Sequence, residues 1–62
     1  MSVKRADLVK HLEENGYRLM REGGKHSIYG RGRRMVPVKR HRDMDRITAN
    51  EICKQAGVEP RF

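Results

Sequence analysis

A two-layer α+β sandwich, built in the order helix, three strands, helix, is the fold this 62-residue chain predicts. Three observations lead to it. Apolar residues recur at helical spacing near the start, at Leu8, Val9 and Leu12. Three short segments follow, separated by Gly23-Gly24 and by Gly30 and Gly32. The tail then places Thr48 three residues ahead of Glu51, opening a second helical stretch that Gly57 closes. Elements that are apolar on one side must bury that side, and two helices laid on one face of an antiparallel meander do so for this order.

The first helix is read from SVKRADLVKHLEENG, with Arg5, Leu8, Val9 and Leu12 on one side. Ser2 is suited to cap its start, and Gly16 to supply the left-handed residue after its end. Lys4 and Arg5 fall in the first turn, where the helix dipole disfavours cations. Lys4 is accordingly a candidate ligand contact, while Arg5 is expected to lay its stem along the core and keep its charge in water. His11 falls on the outer side and is read as surface.

Tyr17 to Glu22, YRLMRE, alternates as a first strand does, and Gly23 and Gly24 then impose a turn. The second strand, HSIYG, sends His26 and Ile28 to one face and Ser27 and Tyr29 to the other, because strand side chains alternate. Tyr29 is therefore expected in the core. In RMVPVKR, Val36 and Val38 share a face, and Pro37 marks an edge strand because it has no N–H for a ladder. Arg40 to Arg46 is read as a charged connection. The last helix is expected from about Ala49 to Ala56, with Thr48 and Glu51 as a capping box and Ile47 and Ile52 as a hydrophobic staple.

Composition narrows the function. Residues 1–62 make one domain, and a chain this short buries only about 60 % of the surface its unfolded form exposes. With 35 % apolar residues, no Trp and one Phe, it has no material for a deep, walled pocket. Chemistry is expected on a shallow surface. Fifteen Lys and Arg against eight Asp and Glu leave a formal charge of +7, a field that draws polyanions, so nucleic acid is the first partner to expect. A lone cysteine, Cys53, rules out an intramolecular disulfide and fits a reducing cytosol. Neither a secretion signal nor an apolar run of the ~18 residues a membrane span needs is visible, so a cytoplasmic protein without membrane contact is expected.

Among the reactive residue types, His11, His26, His41 and Cys53 lack the close spacing of a zinc site. No metal and no small-molecule cofactor is expected. Ser27 beside His26 cannot form a hydrolase pair, because neighbours in a strand point to opposite faces. Cys53 is read as a small buried apolar residue. What remains is histidine among cations. RNA carries a 2′-hydroxyl beside each phosphate, so a base that removes that proton allows the ribose oxygen to attack its own phosphorus while cations stabilise the phosphorane. An imidazole with a reference pKa of about 6.5 suits this work. His26 has the best position, at the start of a strand just after a glycine pair where backbone can approach a phosphate. The alternative is an ordinary exposed polar residue. Lys25 beside it, with Arg31, Arg33 and Arg34 in the next loop, could follow an RNA backbone. Arg40 and His41 could be phosphate contacts or part of a solvated loop.

The stretch Arg21-Glu22-Gly23-Gly24-Lys25-His26-Ser27-Ile28-Tyr29 is similar to the Gly-x-His motif and following apolar strand of the HicA family, toxin endoribonucleases of type II toxin-antitoxin systems. KRADLVKHLEENGY and ITANEICKQAGV resemble the flanks of that motif, so the similarity runs from about Lys4 to Gly57. Family members often read Val-Pro-Arg-His before the last connection, where this chain has Val38-Lys39-Arg40-His41 with its proline at Pro37. The resemblance implies a fold like the double-stranded RNA-binding domain. It also implies metal-independent cleavage of mRNA with His26 as the catalytic residue, and a HicB-type antitoxin that covers this surface.

Three readings follow. The first is a toxin ribonuclease that cuts single-stranded RNA with little sequence selectivity. The second is a non-catalytic RNA-binding module of the same fold. A membrane-active cationic peptide is the third, and it fits poorly, since the first helix carries acids among its cations and no aromatic anchor.

Overall fold

The computed structural model describes residues 2–62. Its elements run β1 (Ser2–Lys4), α1 (Arg5–Glu14), β2 (Arg18–Glu22), β3 (His26–Arg31), β4 (Arg34–Lys39), β5 (Asp43–Asp45) and α2 (Arg46–Ala56). The expected order of helix, three strands and helix is present, as an α+β fold consistent with the double-stranded RNA-binding type. The three-stranded sheet is antiparallel in the order β2-β3-β4, which puts the Pro37 strand at an edge as expected.

Two short strands were not expected. Residues 2–4 do not belong to the first helix but pair antiparallel with residues 43–45, within what reads as a charged connection. Each strand contributes one apolar residue, Val3 or Met44, to the core between exposed neighbours. One buried residue in three is too little periodicity to be legible in sequence.

This pairing also moves the helix starts. Ser2 is not a cap: α1 begins after Lys4, which offers no side-chain cap, and the Arg5 N–H instead donates to the carbonyl of Arg42 at 2.9 Å. At α2 the cap is Asp45, three residues earlier than the expected box. Its carboxylate accepts from the Thr48 N–H at 2.6 Å and from the Thr48 hydroxyl at 3.1 Å. These bonds hold the Asp45 carboxyl below its ordinary value, the backbone bond contributing most. The staple is absent too, because Ile47 is 73 % exposed while Ile52 is buried.

Both helices end as the sequence predicts. Gly16 and Gly57 lie at φ 89° and 71°. In each case the next residue donates back across the glycine, Tyr17 to the Leu12 carbonyl at 3.0 Å and Val58 to that of Cys53 at 2.9 Å. The glycine N–Hs bond Glu13 and Lys54, completing two Schellman motifs.

The core lies between the helices and one face of the sheet. Leu8 and Leu12 of α1 and Ala49, Cys53 and Ala56 of α2 are fully buried over Ser27, Tyr29, Val36 and Val38. Burial pushes the Cys53 thiol above its ordinary value. His11 overturns its surface reading: it is only 4 % exposed. Its Nε2–H donates to the Glu59 carbonyl at 2.7 Å and its ring stands edge-on to Phe62. Phe62 is itself tied through its backbone N–H and C=O to the Asn50 side chain. The chain after α2 folds back over α1 and covers a face that helical periodicity assigns to solvent.

Candidate active site

His26 opens β3, and alternation separates it from Ser27. The histidine is exposed and the serine fully buried. The glycine-containing turn before it is closed by the Gly23 N–H donating to the His26 carbonyl at 2.8 Å. Arg40 straps this turn from the other side. Its backbone N–H donates to Lys25 and its guanidinium to the Gly23 carbonyl, both at 3.2 Å.

Lys39 lies directly opposite His26 in the β3–β4 register and so shares its face. Together with Gly24, Lys25, Arg40 and His41 these residues line a shallow hollow of about 540 Å³. Every side chain around it is exposed. Among the described residues the ion pairs are Lys54 with Glu51 and Arg61 with Glu14, both on the surface, so the cations of the hollow have no carboxylate partner. An anion entering here therefore displaces no internal counter-charge.

Arg5 reaches this end of the sheet from the first turn of α1. Its Nε–H donates to the Lys39 carbonyl and an Nη2–H to Ser27 Oγ, each at 2.9 Å. Ser27 Oγ donates in turn to Glu22 at 3.3 Å. The helix start, the first residues of β3 and the last of β4 are thus joined behind His26. Arg5 is half-buried but does not end in water as the sequence suggests; its guanidinium is committed to protein acceptors.

Arg31, Arg33 and Arg34 sit elsewhere. Arg31 and Arg34 face each other at the far end of β3 and β4, with Arg33 exposed in the turn between them. Arg31 lies five positions along β3 from His26, about 17 Å at the rise of a strand. Sequence proximity placed them together; an extended hairpin sends them to the opposite end. There they meet the two helix C-termini. Arg31 donates to the Asn15 carbonyl at 2.9 Å and lies 4.9 Å above the Tyr17 ring centre, and the Arg34 guanidinium covers Gly57. Cations at C-termini complement the negative end of the helix dipole. Both helix N-termini, the positive ends, point toward the His26 end, where Arg5 and the Ile47–Thr48 turn are found.

Lys4 is exposed in β1 opposite Asp43, beside the connection that carries His41 and Arg42. Lys39 is the one residue of the hollow that sequence reading passed over. Its signal was the two-residue turn at Gly32 and Arg33, which pairs residues whose numbers sum to 65 and so sets Lys39 against His26. Among the described residues no three His, Cys, Asp or Glu side chains gather as a metal site would require.

The site thus combines an exposed histidine on a braced strand start with unpaired cations. Comparison with known proteins adds a family. No curated protein and no solved structure matches the chain, but the family model described as HicA toxin of bacterial toxin-antitoxin matches residues 5–58. That span takes in α1, the whole three-stranded sheet, the His26 hollow and α2. The chain belongs to the HicA toxin family.

Proposed function

We propose that this chain is the toxin of a toxin-antitoxin pair and an endoribonuclease that cuts single-stranded mRNA without a metal, using His26 for proton transfer. The observation that carries the reading is the exposure of His26 in a hollow whose cations, Lys25, Lys39 and Arg40, have no carboxylate partner among the described residues.

The His26 imidazole takes the proton of a ribose 2′-hydroxyl. The oxygen attacks the adjacent phosphorus, the P–O5′ bond breaks, and the 5′-oxygen leaves with the proton that His26 took and now returns, giving a 2′,3′-cyclic phosphate and a 5′-hydroxyl. Lys25, Lys39 and Arg40 stabilise the charge on the phosphorane oxygens. His41, on the rim of the same hollow, contacts phosphate. The cytoplasm, where mRNA is found, is the compartment this function requires.

Toxins of this family act with an antitoxin. For this chain we take that partner to be a HicB-type protein, acidic where it meets the hollow and covering His26, since opposite fields favour encounter and fit.

The test is cleavage of single-stranded RNA in EDTA by the unmodified chain and by His26→Ala. The expected result is cutting by the first and a loss of roughly 10²–10⁴-fold in the second, with RNA affinity retained. A His26→Ala chain that cuts at an unchanged rate removes the catalytic assignment. An unmodified chain that binds and never cuts makes the protein an RNA-binding module.

A further inference from the structure

A second hollow adjoins the first. It follows the free edge of β4 where α2 runs beside it, encloses about 250 Å³, and is lined by Pro37 and Lys39 on one side and Ile47, Glu51 and Gln55 on the other, with His26 also contributing. Ile47, Glu51 and Gln55 stand four residues apart and therefore form a single stripe along α2. His26 and Lys39 line both hollows, so the two meet at the histidine.

We propose that this groove seats one nucleobase next to the cleaved phosphate, with Ile47 and Pro37 against its faces and Gln55 and Glu51 reading its edge. The proposal rests on the reading of His26 as the RNA-cleaving group. Continuity identifies the occupant: a phosphate held at His26 by Lys25 and Lys39 leaves the neighbouring base of the same strand within reach of the groove. The chemistry of the walls agrees. Glu51 accepts from Lys54 through Oε1 at 3.5 Å and keeps its other oxygen free for the rim of a base, which is uncharged, apolar on its faces and polar at its edge. Ile47, at 73 % exposure, is the most exposed large apolar residue among those described, and covering it with a base removes that surface from water. The Gln55 amide is exposed and makes no hydrogen bond among the described residues, leaving a donor and an acceptor free. A glutamine amide matches adenine and a carboxylate accepts from the cytosine amino group, so the groove favours adenine or cytosine over uracil. Cleavage is then tolerant of sequence except at one flanking position.

The experiment has two arms. In the first, isotope-labelled protein is titrated with 2′-O-methyl tetranucleotides of adenine and of uracil, which bind but cannot be cut. Shifts at the Ile47 methyls and the Gln55 side-chain amide, larger for adenine, are expected; shifts confined to residues 25 and 39–41 overturn the proposal. In the second, the ends of cut RNA are sequenced for the unmodified chain, Ile47→Ala and Gln55→Ala, both substitutions being on exposed positions that leave the fold intact. Enrichment of adenine or cytosine at one position, flattened several-fold by Gln55→Ala, is expected, and an unchanged profile in both variants overturns the subsite. If the unmodified chain does not cut, the ribonuclease reading fails, and the titration alone still decides whether the groove takes a base.

Discussion

Arg5 and Ser27 lie 22 positions apart in sequence, and the guanidinium of the first donates to the hydroxyl of the second at 2.9 Å. The same guanidinium holds the Lys39 carbonyl. One side chain thereby ties together both strands that present the His26 hollow, through the Lys39 carbonyl on one and the Ser27 hydroxyl on the other, while the His26 and Lys39 side chains stay exposed.

Arg5→Ala should therefore act on cleavage more than on RNA binding. The expected result is a drop in kcat of at least about tenfold, since small misplacements of a reacting group are costly, with KM little changed. A stability loss of about 1–3 kcal/mol accompanies it as the buried Ser27 hydroxyl loses its partner. Arg5→Lys should not restore kcat, because an ammonium lacks the fork that spans two acceptors. Steady-state kinetics and a denaturant titration check both parts.

The two ends of the hairpin should separate in salt dependence. Lys25→Ala and Lys39→Ala are expected each to reduce the slope of log affinity against log salt by about 0.7, the value for one phosphate contact on a single strand. Arg31→Ala and Arg34→Ala should leave the slope unchanged and lower the thermal midpoint instead, because these side chains serve the helix C-termini. Binding isotherms at several salt concentrations distinguish the groups.

Tyr17 links the end of α1 to the end of α2, its buried hydroxyl donating to the Ala56 carbonyl at 2.5 Å. Tyr17→Phe leaves that carbonyl without this donor, at a cost of about 1–3 kcal/mol. In a domain of this size each kcal/mol is worth roughly 4–8 °C, so calorimetry should resolve the loss readily.

Acid should remove the α2 cap. The folded Asp45 carboxyl titrates below its ordinary value of 3.8, so its contribution is fully present above that pH and is lost as pH falls through the lower, folded value. Asp45→Asn keeps a good capping oxygen without the titration. At neutral pH it should match the unmodified chain far better than Asp45→Ala does, and well below pH 3.8 it should exceed the unmodified chain, which falls toward Asp45→Ala, with thermal midpoints at the two pH values as the measurement.

Cys53 should be inert while the protein is folded. It is fully buried, and desolvation holds its thiol above the ordinary value of 9.0. Alkylation at neutral pH is expected only after denaturant is added, followed by mass spectrometry.

Local signals in the chain were sufficient for the three-stranded meander, the glycine ends of both helices, the edge position of Pro37 and the opposed faces of His26 and Ser27. Each of these depends on alternation, helical spacing or the conformational freedom of one residue, all properties of a few neighbouring positions. The residues 2–4 and 43–45 pairing and the burial of His11 under the tail depend on contacts between distant segments. Those contacts exist only once the core has closed, because a side chain cannot be assigned to solvent or interior until the element that covers it is in place. For the same reason the cations that sequence gathers around His26 were divided by the tertiary structure. Two strands of an extended hairpin carried Arg31 and Arg34 to the helix C-termini and brought Lys39 back to the histidine.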